Sequence, residues 1–311
     1  MCSSDLTVKI DAVVCFCSSM AEYVFNSSCY RRNKLNGVRL IMDFVDLDSD
    51  KWLQYARYAG RFMSLIYRIE NRRLFKYETR INSTFDCSIF VSEREVRVFR
   101  DLYPANRNVR VIANGVDFKY FAPNCGDELL RPTKEERPPA LVFTGHMDYF
   151  ANEDGVRWFC EKIFPIIKVE FPEVEFFIVG NKPTNSIWGL SEIDGVTVTG
   201  YVESILDYYR MAEVCVIPLR IARGLQNKVL EAMATGNAVV ATSNASEGII
   251  CHQNEDIVIA DDEEDFARQV IHLLKDRERR EAMSRKAVEN IRKNYAWESN
   301  LKGLDEILQG G

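Results

Sequence analysis

The chain has 311 residues, 47% of them apolar and 28% charged, a composition that fits a folded protein of about two domains and excludes a disordered or collagenous one. Its 40 basic and 46 acidic residues leave a formal charge of −6, so no global field attracts nucleic acid or an anionic membrane and any such contact must be local. No run approaches the roughly 20 apolar residues that cross a bilayer, and the N-terminus lacks the basic-then-apolar order of a secretory leader, which points to the cytoplasm.

In chain order, an apolar run at 11–16, a strand at 39–45, a long helix from about Trp52 to Asn82 and strands at 87–91 and 109–112 form a first α/β region. No strand with a glycine-rich turn precedes residue 40, so this half is expected to be N-terminally truncated. Four of the nine prolines crowd between Pro123 and Pro139 in a polar stretch without apolar periodicity, which reads as a linker over 123–139. Beyond it, strands are expected at 141–144, 174–179, 196–198, 214–218 and 238–242, alternating with helices at 153–169, 203–211 and 227–235. That alternation predicts a parallel, doubly wound sheet, closed by helices at 262–275, 277–294 and 297–308. The domains are therefore expected at 1–122 and 140–296, with 297–311 a helix packing back at the junction.

Nine cysteines, without a Cys-x-x-Cys pair and mostly inside apolar runs, read as reduced core residues. His146, His252 and His272 stand at no metal-ligand spacing, and neither a metal nor a cofactor is expected. Asp43, Asp46, Asp48 and Asp50 contain Asp-x-Asp twice, as a metal-dependent transferase or an aspartate nucleophile would, yet nothing downstream completes either site. A calcium loop fails because Lys51 stands where glycine is needed and Arg57 where glutamate is needed.

The segment 218–236 places an apolar strand before a basic loop (Arg220, Arg223, Gly224, Leu225, Gln226) and a short helix from Asn227 to Gly236. A helix N-terminus with Lys228 beside it suits a phosphate, and Glu231 one turn on could accept two hydrogen bonds from a ribose diol. In isolation the same residues also read as a solvated lysine and a glutamate complementing the helix dipole. Residues 141–155 form a second strand, glycine loop and helix, with Gly145, His146, Asp148 and Asn152 in the loop and first turn. Such loops line the ligand crevice of a doubly wound sheet.

Asn114-Gly115-Val116-Asp117, Gly145-His146-Met147-Asp148, Gly200-Tyr201-Val202 and Lys228-Val229-Leu230-Glu231-Ala232-Met233-Ala234, in this order, closely resemble glycosyltransferase family 4. Within it, Asp43-Phe44-Val45-Asp46-Leu47-Asp48-Ser49-Asp50-Lys51-Trp52 and Arg223-Gly224-Leu225-Gln226-Asn227-Lys228 are similar to sugar transferases of bacterial PEP-CTERM/exosortase exopolysaccharide systems. The resemblance implies the GT-B fold, two Rossmann-like domains facing a cleft, the first on the acceptor side and the second binding the nucleotide sugar. It implies a retaining hexosyltransferase that moves sugar from a nucleoside diphosphate to an exopolysaccharide or lipid-linked glycan, Lys228, Glu231 and Asp46 taking part. Gly145, His146, Asn152, Tyr201, Val202, Arg220, Arg223, Gly224, Leu225, Gln226 and Asn227 would complete the donor site. Arg223 stands where many members carry a first glutamate, and Asp148 and Asn152 where they carry a phosphate-clamping Arg and Lys, so Lys228, Arg220 or Arg223 would have to neutralise the phosphates. A sugar-nucleotide epimerase of the same fold and a non-catalytic nucleotide-sugar-binding fragment are the alternatives.

Between Lys51 and Arg80, eight basic residues stand against Glu70 and Glu78, a local excess of +6. Arg57, Arg61, Arg68, Arg72 and Lys76 recur at spacings of four and seven, on one face of the expected helix. That face reads either as solvated or as a peripheral contact with anionic lipid at the inner membrane.

Overall fold

The structure, a computed structural model, describes residues 10–31, 35, 37–122, 137–222 and 224–309. It divides into two compact units, Met1–Ala113 with Asn300–Gly311, and Asn114–Ser299. The division falls at Ala113, ahead of the expected linker, most of which lies outside the described residues. Residues 114–122 go with the second unit because Val116 donates its N–H to Tyr295 and bridges to Ala296, while Gly115 packs directly on Trp297.

In the first unit, β1 (Ala12–Phe16), β2 (Arg39–Val45), β3 (Cys87–Phe90) and β4 (Val109–Val111) form one parallel sheet in that spatial order. Phe44 of β2 stacks on Phe90 of β3 at 5.0 Å, and Phe90 lies 5.2 Å from Phe99 of helix Glu93–Leu102, so one face of the central strands packs under that helix. That helix starts at Ser92, whose side chain accepts the Glu95 N–H.

The single helix expected from Trp52 to Asn82 is instead two, Asp48–Tyr58 and Arg61–Thr84. Ala59 and Gly60 are extended, with ψ 153° and 158°, and glycine is a weak point in any helix interior. The two helices fold against each other through Trp52, Tyr55 and Tyr67, whose rings lie 5.2–6.2 Å apart. The C-terminal segment likewise divides, into Trp297–Asn300 and Lys302–Gln309. Ile307 of the latter joins Ile41, Cys87 and Ile89 in a small apolar cluster of the first unit.

In the second unit, β5 (Ala140–Thr144), β6 (Glu175–Val179), β7 (Val196–Gly200), β8 (Val214–Ile217), β9 (Ala238–Ala241) and β10 (Val258–Ile259) form a six-stranded parallel sheet. Its order, β10-β9-β8-β5-β6-β7, means that the chain leaves β5 in one direction and returns to β8 on the other side. The crevice outside the carboxyl ends of β5 and β8 is the switch point at which such sheets bind ligands. The helix expected at 153–169 spans Phe150–Trp158 and Phe164–Glu170, joined by a π-turn at Phe159–Ile163. Pro165 causes the join, because it has no N–H for the regular ladder. Helices Glu263–Lys275 and Arg277–Asn294 stand where expected, each opened by an aspartate, Asp262 and Asp276, that accepts a backbone N–H of the first turn.

Candidate active site

Three strands of the second sheet end in glycine or run straight into one, and this opens a cleft. Gly145 follows β5, Gly180 follows β6 and Gly200 closes β7. The Gly145 N–H donates to Val179 and the Gly180 N–H to Gly200, so the three turns are laced side by side. Gly180 has φ +148°, and a Cβ there would lie 1.7 Å from the Gly145 carbonyl oxygen, a separation only a bare backbone permits. Above this floor lies a cleft of about 790 Å³ whose walls include Thr144, His146, Tyr201, Gln226, Lys228 and Glu231. It sits at the β5/β8 switch point, with helix Asn227–Ala234 entering by its N-terminal end.

Among the described lining residues, Lys228 is the only lysine or arginine. Its Nζ donates to Asn152 Oδ1 at 2.5 Å and lies 4.6 Å from the centre of the Phe143 ring. Asn152 is buried and donates its amide to the His146 carbonyl at 2.8 Å, so it is itself fixed and fixes the lysine. Burial pushes Lys228 down to about 7, and the attraction of Glu231 opposes the shift. Glu231 is pushed up by burial, against the pull of the Tyr209 hydroxyl and Lys228. Tyr209 is fully buried in helix Ile205–Met211, with its hydroxyl 2.7 Å from Thr144 Oγ1 and donating to Glu231 Oε2 at 3.4 Å. A weakly held proton on Lys228 and a half-desolvated carboxylate one turn away make a site that gains from an incoming polyanion.

The structure brings Gly145, His146, Asn152, Tyr201, Val202, Gln226, Asn227, Lys228 and Glu231 together in this cleft. Arg220 is outside the lining: its guanidinium grips the Asp154 carboxylate with two hydrogen bonds and packs 5.6 Å from the Trp158 ring, so its charge is already engaged. Gly224 and Leu225 are also outside the lining, Gly224 turning the chain at φ +58° and Leu225 buried as the loop's anchor. Arg223 lies outside the described residues. Asp46 belongs to the first unit, in the turn after β2 where Val45 takes φ +64°. Its neighbours hold that turn: Asp43 accepts the Val45 N–H, Asp48 accepts the Ser18 hydroxyl, and the buried carboxylates of Glu95 and Glu78 accept the N–H groups of Leu47 and Ser49.

Sequence reasoning missed Tyr209, an aromatic at a core position of a short helix, and Asn181, which lines the cleft with a buried side-chain oxygen that has no hydrogen-bond partner among the described residues. Among the described residues no group of three or more His, Cys, Asp or Glu side chains is placed to hold a metal ion.

Residues 138–276 match the family model described as glycosyl transferases group 1. An uncharacterised 44.6 kDa protein in the cps region of Klebsiella pneumoniae is 25% identical over 303 residues, which cover 93% of this chain and 72% of that one. A GDP-mannose-dependent monoacylated alpha-(1-6)-phosphatidylinositol monomannoside mannosyltransferase of Corynebacterium glutamicum is 22% identical over 74% of this chain and 64% of its own. Among solved structures, Anabaena HepE in complex with UDP and glucose superposes with a TM-score of 0.72 at 11% identity, over 97% of this chain and 78% of that one. These likenesses support a glycosyltransferase, and the fold is the two-sheet α/β architecture of the GT-B glycosyltransferases.

Proposed function

We propose that this glycosyltransferase-like chain moves a hexose from a nucleoside diphosphate sugar to a hydroxyl of a glycan or lipid-linked acceptor, with retention at the anomeric carbon. The observation that carries the reading is the pairing, in one cleft, of Lys228 at the head of helix Asn227–Ala234 with Glu231 one turn further on. Breaking the sugar–phosphate bond leaves negative charge on the departing diphosphate, and the helix N-terminus and Lys228 offset it without a metal. Asn152 keeps the ammonium aimed, since it holds Nζ and is itself tied to His146. Glu231 accepts from the ribose hydroxyls, and the Tyr209 hydroxyl holds that carboxylate in place. Tyr201 and Val202 flank the base. In the front-face route implied by the family resemblance, the leaving phosphate takes the acceptor proton.

The structural neighbour crystallised with UDP and glucose supports a nucleotide-sugar donor. The sequence motifs favour an exopolysaccharide precursor as acceptor. The test is to incubate the protein with a panel of nucleoside diphosphate sugars and measure nucleoside diphosphate release with and without glycan acceptors. Release that requires an acceptor supports transfer. Conversion of the donor sugar without release would instead make the chain an epimerase, and nucleotide binding without either would make it a binding protein.

A further inference from the structure

Helix Arg61–Thr84 buries one face in the first unit, where Glu78, Ile81 and Asn82 are enclosed, and leaves the other bare. On that bare face Phe62 is 76% exposed, Leu65 59%, Ile69 47% and Ile66 37%, four large apolar side chains at helical spacing in the first turns. Single exposed apolar residues are ordinary, but a contiguous strip of them marks a contact surface. The same stripe continues into Arg72, Arg73 and Lys76, with Arg61 and Arg68 beside the apolar part, all exposed. Of the helix's two acids, Glu78 is fully buried and Glu70 is paired with Arg73 at 3.0 Å, so the charge the helix presents is basic. Arg57, expected on this same face, sits on the preceding helix and is exposed there, adding to the basic surroundings of the turn.

We propose that this helix docks the protein on an anionic lipid surface, its first turns entering the boundary between headgroups and acyl chains while Arg61, Arg68, Arg72 and Lys76 engage lipid phosphates. Charge selects the occupant. A second copy of the chain would bring the same arginines against one another, whereas a negatively charged bilayer satisfies the apolar and basic groups at once. Among the described residues no helix is long and apolar enough to cross a membrane, so this contact would be peripheral. Two signals on one helix, shallow apolar burial and a cluster of cations, are what stable peripheral binding requires.

The test is co-sedimentation with vesicles of phosphatidylcholine alone and of phosphatidylcholine with phosphatidylglycerol, alongside size-exclusion chromatography. The parent chain is expected to pellet with the phosphatidylglycerol vesicles only. Arg68→Glu with Arg72→Glu should weaken that partitioning by about 25-fold or more, at about fivefold for each basic residue lost. Leu65→Ser with Ile69→Ser should weaken it as well and leave a residue of binding that added salt abolishes. Both pairs are on the surface, and unchanged melting curves would establish that the variants fold. A parent that stays in the supernatant, equal binding to neutral vesicles, or indifference to the Leu65/Ile69 change would overturn the proposal. So would a dimer that the Leu65/Ile69 change dissolves, which would assign the face to a second copy. None of these readouts involves sugar transfer, so their failure leaves the catalytic reading untouched.

Discussion

Replacing Lys228 by alanine removes the one lysine or arginine that the described cleft offers a diphosphate. A hydrogen bond to a charged group contributes ~1.5–3 kcal/mol, so affinity for a nucleoside diphosphate should fall roughly ten- to hundredfold. The pH dependence gives a second signature. Burial lowers Lys228 to about 7, and a bound polyanion must raise it again. Below about pH 7 the ammonium is already present and affinity is greatest. Above it binding takes up a proton, and affinity falls by up to about tenfold per pH unit until the pKa of the bound state is reached. Isothermal titration with UDP and its GDP and ADP counterparts, between about pH 6 and pH 9, measures both effects. Comparison with Lys228→Ala cancels the titration of the nucleotide itself. A folded Lys228→Ala protein with parental affinity, or a parent whose advantage over Lys228→Ala grows as pH rises above about 7, would refute the reasoning.

Glu231→Gln should narrow the preference for ribose over 2′-deoxyribose nucleotides, read as the ratio of their dissociation constants in parent and variant. Gly180→Ala should lower stability by about 3 kcal/mol or more, since its Cβ would collide with the Gly145 carbonyl oxygen, and urea unfolding will measure the loss. Glu78 is raised from 4.5 to about 7, chiefly by burial, so its contribution to stability is present in full below about pH 4.5 and is lost as pH rises through about 7. Glu78→Gln keeps an acceptor for the Ser49 N–H without the charge, so its melting temperature should gain on the parent's from pH 5 to pH 8. Tyr209→Phe should cost about 1–3 kcal/mol by leaving buried Thr144 and Glu231 short of a partner, measurable by the same urea titration.

The second sheet was legible because parallel strands buried on both faces read as short unbroken apolar runs, as at Val214–Ile217 and Ala238–Ala241. Two-residue β10 carries too little pattern to be seen. The break at Gly60 was hidden because basic residues keep a spacing of four across it, from Arg57 to Arg61, although they stand on two helices. Lys228 and Glu231 were legible from a strand, a loop and a helix start, a local signal. The fate of Arg220 was not, because its partner Asp154 is fixed by the approach of another helix rather than by any spacing in the chain. Tyr209 escaped for a similar reason: an aromatic in a short helix looks like packing, and only the fold shows its hydroxyl between Thr144 and Glu231.

The central claim is that the cleft at the ends of β5 and β8 holds a nucleoside diphosphate. A crystal structure with the tightest-binding member of the nucleotide series tests it most directly. It should place the diphosphate within hydrogen-bond distance of Lys228 Nζ and the first backbone N–H groups of helix Asn227–Ala234, with the ribose hydroxyls on Glu231. Nucleotide bound elsewhere in the second unit, or a diphosphate turned away from Lys228, would contradict it.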